Sequence, residues 1–549
     1  MTRRSSVLQA DWLIAWRLMR RLPRFLSRRL TAAEALAWTE RAAEQRAQRL
    51  LRTLQAAVFP FPESPYSRLL SRAGITPGDL AAWLEEQGVD VTLVRLEAAG
   101  VYVTVDEFKG KVRLVRSGLR LEPVPEAFAN RAFPGELPAR SGASRSAGLR
   151  TVYDLENVAA SWTVPSLVRL WALELLDAPL AVWYPPAPGA GPVLLLALAK
   201  GGIVPQAWFS PVPVSAAALG WRGLLGTYWV LAATRRAGLR LPAPIHAPAR
   251  DPGPVAAWVQ EQLRWRGRCG LYAPVSSALA LAEEADRRGT SLRGATLMVS
   301  SESLTWVKRQ AIERTGARVV PAYATMETGP IGLGCLNPEH GDEVHVVEGA
   351  VVCRLATREL GGTEGGVEMV RLTGLVESLP KILLNTETGD TARIFRRSCG
   401  CPLDRQGLGL HLHDIYGVDK LTGRGTTFLG TDIVAVLEQD LPARFGGSPL
   451  DYQLVEVEDG RGETRIVLRV APRVGALNGE EVRRWFLQRI AERVPEYRLM
   501  AGLWRTSGAP VIERADPIPT ARGKILPLVL GTRRARAEDA RSESAKKRS

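Results

Sequence analysis

Between about residues 150 and 335, Ala/Leu-rich helical segments alternate with short apolar runs such as Ala181–Tyr184 and Ala295–Val299. Runs of that length fit strands buried on both faces, and strands separated by helices are those of a parallel sheet covered by helices. This alternation restricts the chain to an α/β architecture, in which ligands bind outside the carboxyl ends of the strands.

At 549 residues the chain is too long for one hydrophobic core, so two or more domains are expected. Ahead of the alternating region, Thr31–Phe59 is Ala-rich, lacks Gly and Pro, and is expected to be helical up to Pro60. Tyr66–Leu70 and Gly74–Leu80 have helical spacing, whereas Val89–Leu121 alternates apolar and polar residues as strands do, for example at 101–105 and 112–115. Past residue 350 the strands come closer together, at Ala350–Leu355 and Gly366–Leu372. After Gly430 a small α+β unit is expected, with strands Tyr452–Val457 and Thr464–Val470, the helix Gly479–Arg493 and a last strand near Ile525–Val529.

The net charge of +15 is concentrated at the ends: residues 1–56 carry +8, residues 533–549 carry +4, and the middle is left with +3. Such a basic arm and tail attract polyanions or anionic membranes without sequence specificity, so no specific nucleic-acid role is expected. With 46% hydrophobic residues, still no apolar run reaches the roughly 18–20 residues of a membrane helix. The arginines at 17, 20 and 21 interrupt the apolar Trp12–Trp16 segment, no small-residue cleavage site follows it, and a cytoplasmic location is expected.

Four polar motifs follow in fixed order. Residues 140–151 form a Gly/Ser loop in which Gly142 permits close backbone approach. Ser141, Ser144 and Ser146 offer hydroxyls to phosphate oxygens, and Arg145 offers a guanidinium group. It is no Walker loop, and alone such a Ser/Gly/Arg stretch is more often a plain surface loop. Tyr323–Glu327 follows a short strand: Glu327 suits Mg²⁺ through oxygen, and Tyr323 suits stacking on a base. Thr388-Gly-Asp390 supplies an acid for the two ribose hydroxyls, although a bare Thr-Gly-Asp is an ordinary turn. Lys524 lies on a Gly-hinged, proline-stiffened loop near the C-terminus, where a solvated lysine is the plain alternative.

Together these residues resemble the adenylate-forming (acyl-CoA synthetase) superfamily, most closely its phenylacetate–CoA ligase-like branch, over about residues 60–528. Ser300-Ser-Glu302 resembles the family's Gly-Gly-Glu turn, and the segment from Arg424 to Ile433 resembles the start of its C-terminal domain. The resemblance implies a large N-terminal adenylation domain (60–423) with mixed parallel sheets and helices. A small mobile α+β C-terminal domain (424–532) would rotate about a hinge at Asp419–Lys420, with the basic helical arm (1–59) and a disordered basic tail (533–549) outside both. It implies ATP, Mg²⁺ and coenzyme A as reaction partners, Glu327 holding Mg²⁺, and Lys524 as the catalytic lysine. Ser141, Gly142, Ser144, Arg145, Ser146, Glu302, Tyr323, Thr325, Asp390 and Arg424 would bind ATP or AMP. The phosphate loop lacks the family's lysine, Ala324 and Met326 replace a glycine and a threonine, and Thr325 offers a hydroxyl in place of the latter. Tyr416-Gly-Val-Asp-Lys420 lacks the arginine expected before the hinge, with Lys420 and Arg424 as nearby cations.

Of five cysteines, Cys335, Cys399 and Cys401 can converge with His345 as a closed structural zinc site, with His340 competing for the imidazole position and reduced buried thiols as the alternative. Cys269 and Cys353 read as core residues, and a disulfide framework is not expected. The reaction implied is activation of an aryl or acyl carboxylic acid as its adenylate, then transfer to a thiol, foremost coenzyme A. Transfer to an acyl carrier protein or another protein and a non-catalytic nucleotide-binding role are the alternatives. Segments around Val204–Val214, Tyr272–Ser277 and Ser300–Glu302 are expected to line the acid pocket, and Trp208 and Phe209 suit an aromatic acid or the core equally.

Overall fold

The computed structural model describes residues 2–140, 150–358, 367–417, 421–423, 426–428, 430–458, 464–493, 501, 504–505 and 508–529. They fall into two compact units, the first running to Ile415 and the second from Tyr416 on.

The first unit opens with α1 (Thr2–Ser27), α2 (Ala32–Glu44), α3 (Arg46–Ala57), α4 (Pro65–Arg72) and α5 (Pro77–Ala98). Thr31 and Thr76 start α2 and α5 through capping boxes, each hydroxyl accepting from the N–H three residues on while Glu34 or Asp79 accepts from the cap residue's own N–H. The strand expected over Val89–Ala98 is instead the second half of α5, which bends at Gly88, φ 74°. Its buried residues Val89, Thr92, Leu93 and Leu96 have the spacing of one helical face, while Val91 and Val94 are exposed. Packing of that face overrides the β-branched composition. A single helical turn, α6 (Val105–Phe108), follows, and the strands of this region reduce to the hairpin β1 (Leu114–Arg116) and β2 (Leu119–Leu121).

A second hairpin, β3 (Leu137–Arg140) and β4 (Arg150–Tyr153), leads through α7 (Leu155–Asn157) and a π-helical stretch, Val158–Thr163, into α8 (Val164–Ala172). The expected alternation then appears: β5 (Leu180–Trp183), α9 (Gly191–Lys200), β6 (Ala207–Ser210), α10 (Ala216–Arg236), β7 (Pro244–His246), α11 (Gly253–Arg266) and β8 (Cys269–Pro274). It continues with α12 (Val275–Arg287), β9 (Ala295–Ser300), α13 (Trp306–Glu313) and β10 (Arg318–Thr325), followed by β11 (Gly329–Leu333) and β12 (Val344–Val346). Next come β13 (Val351–Arg358), β14 (Val367–Gly374), β15 (Thr386–Glu387), β16 (Asp390–Arg396) and β17 (Leu410–Gly417).

One ten-stranded sheet, in the order β16-β17-β12-β11-β10-β9-β8-β5-β6-β7, dominates the unit. From β10 to β7 all neighbours are parallel, whereas β10-β11-β12-β17 are antiparallel, so the sheet is mixed. α9 shows why the parallel half is stable: Val193–Ala199 is an unbroken apolar run, buried throughout. A helix apolar on every side belongs inside, and each such leucine stabilises the fold by about 1.5–3 kcal/mol. β13, β14 and β15 form a separate three-stranded sheet whose core includes Leu50, Tyr66, Leu93, Phe128, Val370 and Leu384.

The second unit contains the small hairpin β18 (Leu421–Gly423) and β19 (Thr426–Phe428) and a four-stranded sheet. The sheet's strands are β20 (Tyr452–Glu458), β21 (Thr464–Val470), β22 (Val511–Arg514) and β23 (Leu528–Val529), in the order β22-β21-β20-β23. The helix Gly479–Arg493 buries Val482, Phe486, Leu487 and Ile490 in the same cluster as Leu454 and Leu468 of the sheet. This is the α+β unit read from the sequence. Among the described residues no helix is long and apolar enough to cross a membrane.

Candidate active site and metal centre

β5 and β8 are sheet neighbours, yet the chain builds β6 and β7 outward on one side and β9 and β10 outward on the other. Their carboxyl ends flank the point where strand order reverses, the position at which open α/β sheets form ligand crevices. There the Tyr184 phenol donates to the Ala273 carbonyl at 3.0 Å and lies 2.6 Å from Ser300 Oγ. Glu302 accepts from the Ser276 N–H and hydroxyl, both at 2.9 Å, so an acid closes the N-terminal turn of α12. Of this group the sequence singled out Glu302 and the two segments carrying Ser276 and Ser300. Tyr184, at the end of an apolar strand, gives no signal that separates it from a core tyrosine. Trp208 donates to the Tyr184 carbonyl at 2.8 Å and Phe209 packs edge-on to Trp258; both are buried in the core.

At the far end of the parallel set, Tyr323 and Asp390 meet: the phenol donates to Asp390 Oδ2 at 2.7 Å. A bulge between Tyr323 and Ala324 of β10 re-aims the strand just here. On the other side the Asp390 N–H donates to Thr388 Oγ1 at 3.0 Å, across Gly389 at φ 91°. The turn is braced from below by Glu387, which is buried and paired with Arg371 at 3.2 Å and Arg358 at 3.1 Å, and α6 lies against it through the Val105 N–H on Glu387. Burial pushes the Asp390 carboxyl up to about 6, against the opposing pull of the Tyr323 hydrogen bond, the Lys109 charge and Thr388.

Glu327 occupies the turn between β10 and β11. Burial raises its carboxyl, opposed by a backbone N–H, by the charges of Lys381 and Lys109 and by the Thr325 hydroxyl. Thr325 also meets Thr328, 2.9 Å between the two hydroxyl oxygens. Gly329, at φ 79°, ends the turn where a Cβ would lie 2.5 Å from the Ser161 carbonyl. The Tyr153 phenol donates to the Met326 carbonyl, which ties the Glu327 turn to the base of the β3–β4 hairpin. The residues joining those two strands are the Gly/Ser motif: Ser141, Gly142, Ser144, Arg145 and Ser146 lie outside the described residues.

Two lysines had no motif to reveal them. Lys381 is buried and donates to the Pro125 carbonyl; burial lowers its pKa, opposed by the charge of Glu327. Lys109, half-buried at the end of α6, is lowered by burial and by Lys111, and is held up by Asp390, Glu327 and Asp106. Both acids of the candidate nucleotide site therefore feel Lys109. The donor set suits Mg²⁺: one carboxylate, Glu327, leaves most positions to phosphate oxygens and water, the arrangement this ion takes at nucleotide sites.

Cys335, His345, Cys399 and Cys401 converge, their ligand atoms all within 4.8 Å of one another. Cys335 and Cys399 sulfurs are 4.0 Å apart, and His345 Nε2 lies 3.6 Å from Cys399 Sγ and 3.4 Å from Cys401 Sγ. Tetrahedral zinc sets ligand edges of about 3.8 Å between sulfurs and about 3.6 Å from sulfur to nitrogen. His345 Nδ1 lies 2.6 Å from the Leu408 carbonyl, a contact that assigns its proton to Nδ1 and leaves Nε2 as the lone pair facing the sulfurs. Backbone N–H groups of Asn337 and Asp404 point at Cys335 and Cys401 sulfurs, each at 3.4 Å. His340 is not in the cluster: it stacks on His413 with centroids 3.6 Å apart. Cys269 and Cys353 are buried, and none of the five cysteines is in a disulfide. β11 separates the Glu327 turn from Cys335, so the two sites are roughly 15–20 Å apart.

In the second unit, Lys524 sits on a tight turn. Its carbonyl accepts from the Thr520 N–H at 2.8 Å, its N–H donates to Thr520 Oγ1 at 3.1 Å, and Gly523 takes φ 79°. The buried Gln453 side chain grips both limbs of the loop: Nε2 donates to the Ile518 and Leu526 carbonyls, at 3.0 and 2.8 Å, and Oε1 accepts from the Ile518 N–H at 2.7 Å. Nothing in the sequence distinguished Gln453 from other polar strand residues. Asp419, Lys420 and Arg424 lie outside the described residues.

No family model and no curated protein matches the chain. Among solved structures it is similar to the anthranilate CoA ligase AuaEII in complex with anthranoyl-AMP, at 12% identity and TM-score 0.41, over 93% of this chain and 99% of that one. It is also similar to O-succinylbenzoate coenzyme A synthetase from Bacillus subtilis, at 11% identity and TM-score 0.39, over 71% of this chain and 68% of that one. A third is Mycobacterium smegmatis MbtA, at 17% identity and TM-score 0.31, over 80% of this chain and 72% of that one.

Proposed function

We propose that this chain is an AMP-forming acid–thiol ligase. Its substrates would be ATP, an aryl or acyl carboxylic acid and a thiol, foremost coenzyme A, with an acyl carrier protein as the alternative acceptor. The observation that carries the reading is the hydrogen bond between Tyr323 and Asp390, which joins two of the four motifs: Tyr323 lies on the strand that leads directly into Glu327, and Asp390 begins another strand of the same sheet.

In the first step an oxygen of the substrate carboxylate attacks the α-phosphorus of ATP, the bond from that phosphorus to the bridging oxygen breaks, and pyrophosphate leaves. In the second a thiolate attacks the acyl carbon, the bond to the AMP oxygen breaks, AMP leaves, and the thiol proton passes to solvent. Asp390, ionised, would accept from the ribose hydroxyls while Tyr323 fixes its orientation. Glu327 would hold Mg²⁺, which neutralises phosphate charge when bound. The Ser300–Glu302 turn and the 141–146 motif would line the acid and phosphate positions. Lys524, by its motif, would supply positive charge as the leaving group forms; losing such a donor costs roughly 2.7–4 kcal/mol of barrier.

Zn²⁺ in the Cys335, His345, Cys399, Cys401 cluster would be structural, since four protein ligands leave no open position. It would clip the ends of β11, β12 and β16 together.

ATP–pyrophosphate exchange across a panel of aryl and fatty acids tests the reading. Acid-dependent exchange that collapses in Lys524→Ala supports it. Adenosine or ATP binding without exchange for any acid would favour a non-catalytic nucleotide-binding protein, in keeping with Ala324, Met326 and the arginine missing before Asp419.

A further inference from the structure

Residues 178–250 contain no aspartate or glutamate, a span of 73 residues that includes all of α10. α10 bends at Gly220, and beyond it Trp221, Leu225, Tyr228 and Trp229 recur at the spacing of one helical face. That face is not the one in the core. The helix buries Gly223, Thr227, Val230, Leu231, Ala233 and Thr234 on its other side, whereas Trp221 is 71% exposed, Leu225 65%, Tyr228 52% and Trp229 39%. The stripe ends in the exposed Arg235 and Arg236.

α1 lies alongside α10, and the Trp229 indole donates to the Ala15 carbonyl at 3.0 Å. The next residue of α1, Trp16, is itself exposed, with the Arg20 guanidinium 4.6 Å over its ring, and one turn further Arg24 is exposed, followed by Arg28 and Arg29 beyond the helix. The two helices together contain nine arginines and one acid, Asp11. An exposed ridge of tryptophan, tyrosine and leucine, bordered by arginines and lacking acids, combines two affinities. Amphipathic aromatic rings prefer the headgroup level of a bilayer, and arginines are drawn to an anionic lipid surface, where their long stems also lie on apolar ground.

We propose that the α1–α10 face docks the chain peripherally on an anionic lipid bilayer, with the Trp221, Leu225, Tyr228 and Trp229 ridge entering the interface and Arg20 and Arg24 of α1 and Arg235 and Arg236 of α10 meeting lipid headgroups, while Arg21 stays paired with Glu136 and Asp154. The occupant is a membrane surface, and the inference does not rest on the adenylation reading. A ridge along one helix whose rings are apolar in body and polar only at the Tyr228 hydroxyl and the indole N–H suits the headgroup level of a deformable bilayer.

The test is sedimentation of the full chain with vesicles of phosphatidylcholine alone and of phosphatidylcholine with about 30% phosphatidylglycerol, at low salt and at about 0.5 M salt. The chain should partition onto the anionic vesicles, lose most of that binding at high salt, and bind neutral vesicles weakly. A Trp221→Ser, Leu225→Ser variant should partition about tenfold less while keeping the wild-type Tm. Trp221→Phe should reduce, without abolishing, the part of the fluorescence that brominated lipid quenches, since Trp229 enters the interface beside it, and this readout remains if the serine variant fails to fold. Partition of the serine variant equal to wild type, or a quenched fraction unchanged by Trp221→Phe in bound protein, would overturn the proposal by assigning binding to the chain's other basic segments. Saturable binding to an acidic acyl carrier protein without any vesicle binding would also overturn it.

Discussion

Tyr323 and Asp390, 67 residues apart in sequence, are joined by a hydrogen bond of 2.7 Å from the phenol to Oδ2. A phenol that donates to a carboxylate favours its charged form, so it works against the burial that lifts Asp390 to about 6. Adenosine, which carries no phosphate to titrate in this range, should bind with an inflection near pH 6, weakening below it as Asp390 takes up a proton. Tyr323→Phe should move the inflection upward and cost about tenfold in affinity at neutral pH, the worth of a hydrogen bond to a charged group. Asp390→Asn should abolish the inflection. Titration calorimetry across pH 5–8 decides this, and a flat profile in the wild type would contradict it.

The same carboxyl makes a stability prediction. Its folded pKa lies above the unfolded value of 3.8, so its stabilising contribution is fully present below 3.8 and is lost as pH rises through about 6. Above that pH the folded chain holds a half-buried charge. Asp390→Asn should therefore raise the Tm at pH 8 relative to wild type and leave it nearly unchanged at pH 4, while adenosine binding falls. An equal Tm difference at both pH values would contradict the assignment.

Lys109 lowers the pKa of both Asp390 and Glu327 through its charge. Lys109→Met should shift the adenosine inflection upward with no loss of the Tyr323 hydrogen bond, so its effect should add to that of Tyr323→Phe. If the double variant shifts no further than either single variant, the lysine acts through the tyrosine.

Gln453 positions the loop that carries Lys524. Gln453→Leu leaves the Ile518 N–H and two carbonyls without their partner, at a cost of about 1–3 kcal/mol for each group that stays buried. Pyrophosphate exchange should fall in this variant together with the Tm of the second unit. Lys524→Ala should reduce exchange by about 10²–10³ with the Tm unchanged. Loss of Tm without loss of exchange in Gln453→Leu would show that the loop needs no such clamp.

Metal analysis of the purified chain should give one zinc per chain. Cys335→Ser or Cys401→Ser should abolish it and lower the Tm by about 5 °C, and a chelator should do the same to wild type. Metal-free wild type with the same Tm would favour reduced thiols.

The alternation over residues 150–335 was legible because each buried strand and helix has its own period, and the thiol cluster because cysteines are few and imidazole and thiolate chemistry is narrow. The Lys524 loop was legible through Gly523, whose positive φ few other residues tolerate. What escaped depends on distant partners. Val89–Ala98 alternates like a strand, and only packing of Val89, Leu93 and Leu96 on the core decides for helix. Lys109, Lys381, Tyr184 and Gln453 are ordinary residue types whose roles arise from burial beside segments far away in the chain.

Adenylation is tested most directly with carboxyl-¹⁸O-labelled acid, using the acid that drives exchange best, ATP and coenzyme A in a single turnover. Attack of the carboxylate on the α-phosphorus predicts one labelled oxygen in the AMP released. Unlabelled AMP, or label found in inorganic phosphate with ADP as the other product, would contradict the reaction proposed for this chain.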